Sequence, residues 1–116
     1  MSRTPLATLL RGGQSTGLRI RVARRWHQRA LGLLATPHLD FPVGLWIEPC
    51  NSVHMFGMRF AIDAVFLDAG GKVLRIVPQL RPWRMAGCRG ARTVLELRAG
   101  LAAELNLRAD DLLDLV

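Results

Sequence analysis

Leu18, Ile20 and Val22 alternate with Arg19 and Arg21, the period-2 pattern of a strand that turns one face to a core and the other to water. The period changes after Ala23. Trp26, Ala30, Leu33 and Leu34 recur at i, i+4, i+7 and i+8, which lays an apolar stripe along a short helix over residues 24–34, with Pro37 ending it. Residues 43–47 predict a buried strand, and Glu48-Pro49-Cys50-Asn51-Ser52 a turn. Residues 53–56 and 60–67 are apolar at both parities, as strands covered on both faces are. Asp68-Ala69-Gly70-Gly71 then links the second of these to a strand over residues 72–77 as a hairpin. Residues 78–90, with prolines, Trp83 and several arginines, predict a long irregular connection. Beyond it Thr93, Leu95 and Leu97 alternate with Val94, Glu96 and Arg98 in another strand; residues 100–105 predict a short helix and residues 112–116 a closing strand. Short strands at even spacing with brief helices define a mainly β fold, a small antiparallel β-sandwich or barrel with two short helices.

A chain of 116 residues, half of them hydrophobic, organises a single core, so residues 18–116 are predicted to form one β-rich domain. Residues 1–17 carry Gly12, Gly13 and Gly17 among Ser2, Thr4, Ser15 and Thr16, a composition with little apolar surface to offset the entropy of ordering. A flexible basic arm is predicted there. Residues 1–39 hold seven arginines and no acid, whereas nine basic residues balance nine acidic ones from Asp40 onward, so the net charge of +7 belongs to the N-terminal third. Phosphate binding through Arg3, Arg11, Arg19, Arg21, Arg24, Arg25 and Arg29 is one function class this allows. It is not the favoured one, because no aromatic-lined β platform or known nucleic-acid module accompanies them. No run approaches the roughly 18 apolar residues of a membrane helix, and the apolar stretch over residues 5–10 is too short for a signal-peptide core. A cytoplasmic location with no membrane partner is expected, and with it Cys50 and Cys88 as reduced thiols.

The run His54-Met55-Phe56-Gly57-Met58-Arg59-Phe60-Ala61-Ile62-Asp63-Ala64-Val65-Phe66-Leu67-Asp68, with Arg29-Ala30-Leu31-Gly32-Leu33 upstream and Val94-Leu95-Glu96-Leu97-Arg98-Ala99-Gly100 downstream, resembles family 192 of the domains of unknown function, a bacterial and archaeal group. The likeness runs from about Leu18 to the end and follows the branch with a histidine ahead of the central strand. Met55 stands where that branch usually has threonine, Ala61 where it has proline, and Asp110 where a glycine commonly precedes the aspartate matched by Asp111. The resemblance implies a small β-rich fold with short helices. It carries no reaction.

Four residues form the candidate pocket: His54, Arg59, Asp63 and Trp83. Imidazole titrates near neutral pH, so His54 can act as acid, base or ligand. Cys50 is its nearest thiol in sequence, but four extended residues would hold the two roughly 13 Å apart, beyond hydrogen-bond reach. Zinc wants ligand pairs closely spaced along the chain, whereas His27, His38, Cys50, His54 and Cys88 are scattered, so neither a metal nor a cofactor is expected. Asp63 lies inside an apolar run and must find a partner there, either backbone N–H groups at a loop or an arginine such as Arg81 or Arg84. Arg59 shares its strand parity but stands too far along an extended chain to touch it. Trp83, between Pro82 and Arg84, serves either as a lid over a pocket or as packing for its loop. Glu96, opposite Leu95 and Leu97, is expected in solvent or paired across strands with an arginine. These residues favour a small non-enzymatic binding or accessory domain for an unknown small ligand or protein. The rival classes are a small hydrolase-like enzyme using His54 and Asp63, and nucleic-acid binding through the arginine-rich N-terminal third.

Overall fold

A computed structural model describes residues 6–23 and 43–116. The helix predicted over residues 24–34 lies outside them. Strand β1 (Leu6–Arg11) turns into β2 (Gln14–Ala23) with Arg11 opposite Gln14. The two turn residues, Gly12 and Gly13, have φ of 57° and 82°, the double left-handed backbone that a two-residue hairpin needs and that glycine adopts without steric cost. The flexible arm expected over residues 1–17 is therefore corrected for residues 6–17, which are paired in the sheet. The glycines there shape a turn.

Arg11 clasps this hairpin to the far end of the chain. Its guanidinium donates to the carbonyls of Leu105 and Asn106 and to Asp111 Oδ2 at 2.9 Å. Arg11→Ala is expected to lower folding stability by about 2 kcal/mol, since several charge-assisted bonds go at once. Urea unfolding measures this. A loss below about 0.5 kcal/mol would reduce the clasp to an ordinary surface ion pair.

The remaining strands are β3 (Val43–Ile47), β4 (Ser52–His54), β5 (Ile62–Leu67), β6 (Val73–Leu80), β7 (Met85–Gly87), β8 (Thr93–Arg98) and β9 (Leu113–Leu115). A short helix, α1 (Leu101–Glu104), follows β8. Seven strands make one sheet in the order β6-β5-β8-β3-β2-β1-β9, and β4 and β7 make a second, two-stranded sheet. The purely antiparallel sandwich or barrel is corrected to a mixed sheet, because β2 and β3 run parallel. Parallel neighbours need a crossover of a dozen residues or more, and residues 24–42 supply that length. Of the two expected helices, α1 is the one found among the described residues.

The sheet curls until its edges meet at one end. Lys72 bridges Leu112, Val73 N donates to Asp111 O at 2.8 Å, and Leu113 N donates to Gly71 O at 2.9 Å. A Cβ on Gly71 would lie 2.3 Å from Leu113 O, so this approach requires glycine. The edge strands then diverge, and the described residues do not form a closed barrel.

One core fills the inside of the curl, drawing Leu9, Ile20, Trp46, Val65, Leu97 and Leu113 from strands right across the sheet. A second core on the other face holds Val53, Met55, Ile62, Ala64, Phe66 and Val94. The central strands are thus covered twice: β5 is buried at all six positions and β8 at its first five. The loss of alternation over residues 60–67 has this cause. It also overturns the solvent-facing position expected for Glu96. That side chain is 3% exposed, its cross-strand neighbours are Leu45 and Ala64, and its Oε2 has no hydrogen-bond partner among the described residues. The face opposite Leu95 and Leu97 is a second core, not water, and burial pushes the Glu96 carboxyl up to about 8.

Candidate functional site

The small β4–β7 sheet pairs Ser52 with Gly87, Val53 with Ala86 and His54 with Met85. Val53 and Ala86 pack down on Ile62, Ala64 and Phe66, so strand alternation turns His54 and Met85 outward. The connection expected to be irregular over residues 78–90 thus contains the end of β6 and the strand β7.

Two turns extend this surface. Met58 N donates to Met55 O at 3.3 Å, closing a turn that carries Phe56, and Arg84 N donates to Arg81 O at 3.2 Å, closing a turn that carries Trp83. The turns are locked together. Trp83 N donates to Met55 O at 2.8 Å and Met55 N to Arg84 O at 2.9 Å. The result is a row of three rings, with the His54 and Phe56 centroids 5.6 Å apart and those of Phe56 and Trp83 6.1 Å apart. Phe56 is 51% exposed, Met85 58% and Trp83 69%.

Trp83 occupies the third position of the turn Arg81-Pro82-Trp83-Arg84 with φ 69°. Proline at the second position suits such a turn, but a positive φ at the third is a place for glycine or asparagine, and in a bulky side chain it is a true outlier. The indole is held in the strained conformation and exposed to water together. Trp83→Gly is therefore expected to gain about 1 kcal/mol of stability by relieving the left-handed backbone. Thermal melting checks this, and a loss of more than about 1 kcal/mol would instead make the indole part of the packing.

Asp63 is elsewhere. It is fully buried on β5, at the parity of Val65 and Leu67 in the curl's core, the face opposite the one that β4 and β7 cover. Its Oδ1 accepts the backbone N–H of Gln79 at 2.9 Å, and its Oδ2 accepts those of Gly100 at 3.0 Å and Ala102 at 2.9 Å. The first of these donors sits at a β-bulge, where pairing shifts from Ile62↔Leu80 to Ala64↔Val77 and Gln79 has φ 51°. The other two are the free N–H groups at the start of α1. One carboxylate thus settles the stranded donors of a bulge and a helix end.

His54 and Trp83 are brought together, with Arg59 exposed just beyond the turn that carries Phe56, and Asp63 is not with them. Phe56 and Met85 were missed by the sequence reading. The strand expected over residues 53–56 instead ends at His54, and the turn over residues 55–58 lifts Phe56 out of the core.

Elsewhere, a cleft of about 350 Å³ lies between Trp46, Glu48, Arg92, Thr93 and the turn after β5. There Glu48 Oε2 accepts from Trp46 Nε1 at 3.2 Å and from Thr93 Oγ1 at 3.3 Å. Among the described residues no three His, Cys, Asp or Glu side chains gather as a metal would need, and no helix is long and apolar enough to cross a membrane. Neither Cys50 nor Cys88 is in a disulfide.

Fold and site define a class of protein: a small curled-sheet β domain that presents an exposed row of rings between arginines. The chain belongs to family 192 of the domains of unknown function, described as "Uncharacterized ACR", whose family model matches residues 7–115. It is 31% identical over 102 residues to a UPF0127 protein of Thermococcus sibiricus, a match covering 83% of this chain; the chain spans 65% of that relative's length. Its fold is similar to that of a crystal structure from Sinorhizobium meliloti, with TM-score 0.86, 19% identity, and coverage of 99% of this chain and 97% of that one. A protein of unknown function from Novosphingobium aromaticivorans is similar with TM-score 0.80 and 22% identity, over 96% of this chain and 84% of that one. The family has no assigned activity.

Proposed function

We propose that this chain is a small cytoplasmic binding or accessory domain, not an enzyme, and that its contact surface is the row His54, Phe56 and Trp83. One observation carries the reading: a tryptophan 69% exposed is held at φ 69°, where glycine would fit without strain. Strain of this kind gathers at ligand clamps and binding loops, and exposed clusters of Trp, Phe, Met and Arg have the composition of interaction surfaces. The hydrolase reading draws no support from its own pair, since Asp63 is committed to three backbone donors and lies across the sheet from His54. The Sinorhizobium meliloti protein has been described as a candidate transcription regulator; at that identity the likeness carries the fold alone.

A thermal-shift screen of small ligands and peptides on wild type, His54→Ala and Trp83→Gly tests the reading, because a ligand of the folded state raises its melting temperature by mass action. Stabilisation present in wild type and lost in both variants is the expected result. The same upward shift in all three proteins would remove the ring row from the binding surface.

A further inference from the structure

We infer that the ring row on the β4–β7 sheet binds single-stranded nucleic acid, with bases stacking on Phe56 and Trp83 and the surrounding arginines contacting phosphates. This rests on the preceding reading of the row as the contact surface and adds the class of its occupant. Of the arginines in the N-terminal third, Arg11 is already held by two carbonyls and Asp111. The charge that matters is around the rings. From residue 69 to residue 95 the chain carries no acid, and of the basic residues there Arg75, Arg81 and Arg84 belong to this surface, whereas Lys72 lies at the closing end of the curl and Arg92 in the cleft beside Trp46. Arg81 and Arg84 bracket Trp83, Arg59 follows the Phe56 turn, and Arg75 Nη1 donates to Gly87 O in β7. The side chains of Arg59, Arg81, Arg84 and Arg89 are exposed, and the described ion pairs, Arg11–Asp111 and Arg98–Glu104, do not involve them. The acids gather at the other end of the chain, five of the nine lying between Glu96 and Asp114.

Exposed rings set in a field of one sign are the two parts of a single-strand site: every base has a face to stack, and every phosphate a charge to neutralise. A protein surface of mixed charge would gain less from so uniform a rim than a polyanion does. The ring spacing speaks against a duplex. Steps of 5.6 and 6.1 Å exceed the rise of about 3.4 Å between stacked bases in a double helix, so bases seated on successive rings must be splayed apart.

The test is fluorescence anisotropy of a labelled mixed-sequence 20-nucleotide single strand, as DNA and as RNA, in about 100 mM salt. The same sequence as a duplex, heparin and polyglutamate serve as comparisons. Wild type is expected to prefer the single strand to the duplex. Trp83→Gly and Phe56→Ala should each weaken single-strand binding by roughly 5- to 150-fold, the effect of one lost stacking contact. In Arg81→Ala/Arg84→Ala the slope of log affinity against log salt should fall by about 1.4. Melting temperatures of the variants establish that they are folded, and Trp83→Gly, whose backbone favours the turn, keeps the test open should Phe56→Ala unfold. The inference is overturned if no oligonucleotide binds, if the duplex or heparin binds as tightly as the single strand, or if folded Trp83→Gly binds like wild type. Polyglutamate bound in a Trp83-dependent way with no oligonucleotide bound would overturn it in favour of an acidic polypeptide. In that case, or where the thermal-shift screen still yields a Trp83-dependent compound, the binding reading stands and only the nucleic acid falls. Silence in both experiments removes both.

Discussion

Asp63→Ala is expected to lower folding stability by about 4 kcal/mol, a large part of what a domain of this size possesses. The alanine leaves three backbone N–H groups, those of Gln79, Gly100 and Ala102, without the acceptor that now binds all of them. Water cannot readily replace it, because the carboxylate is fully buried. Each stranded donor costs roughly 1–3 kcal/mol, less where the structure relaxes to admit solvent. Asp63→Asn is expected to fall short of rescue, since its amide group turns a donor toward at least one of those N–H groups. Urea unfolding at neutral pH measures both variants. A loss below about 1 kcal/mol for the alanine would mean that the bulge and the helix start do not depend on the carboxylate, and Asp63 would again be open to another role.

Glu96→Gln is expected to act in the opposite direction, and its effect depends on pH. The carboxyl is pushed by burial from its ordinary 4.5 to about 8, so the folded chain holds a proton that the unfolded chain releases. The folded state binds more protons between those two values, and stability must fall as pH rises through that window. It is unaffected by this group below about 4.5 and has lost the full amount above about 8. The change amounts to roughly 3 kcal/mol between pH 5 and pH 7.5. Glutamine carries no proton to lose. Its stability profile should be flatter over the same range, and at pH 8 the variant should be the more stable protein. Parallel profiles for the two proteins would show that Glu96 is already ionised and satisfied in the fold.

These two acids mark how far the sequence could be read. Both stand in apolar strands. For Asp63 the run over residues 60–67 is apolar at both parities, so burial and the need for a partner follow directly, although the choice of backbone donors over an arginine, and their identity 16 to 39 residues away, does not. Glu96 sits among alternating neighbours, and alternation alone assigns it to water. Only the presence of strands on both sides of β8, and of a second core above them, reverses that assignment. The strands around Leu18, Val43, Asp68 and Thr93 were legible because each has its own period or turn signal. Strand direction was not, since a period of two is the same for parallel and antiparallel neighbours. Gly12-Gly13 was legible and misread: glycines count toward flexibility in composition, yet two of them between Arg11 and Gln14 are also a hairpin turn.

The candidate site was legible in part for a similar reason. His54, Arg59 and Trp83 stand out by residue type, and the structure places His54 and Trp83 in one row through Phe56. Asp63 stands out for burial, which is a property of the fold. Nothing in local spacing reveals that the turns at residues 55–58 and 81–84 exchange backbone hydrogen bonds, and that exchange is what assembles the rings.

The central claim, that the ring row is the surface this domain uses, is tested most directly by hydrogen–deuterium exchange with and without whichever probe most raises the melting temperature. Slowed exchange at the amides of residues 54–58 and 81–85 is the expected result. Slowed exchange confined to the cleft beside Trp46, Glu48 and Thr93 would contradict it.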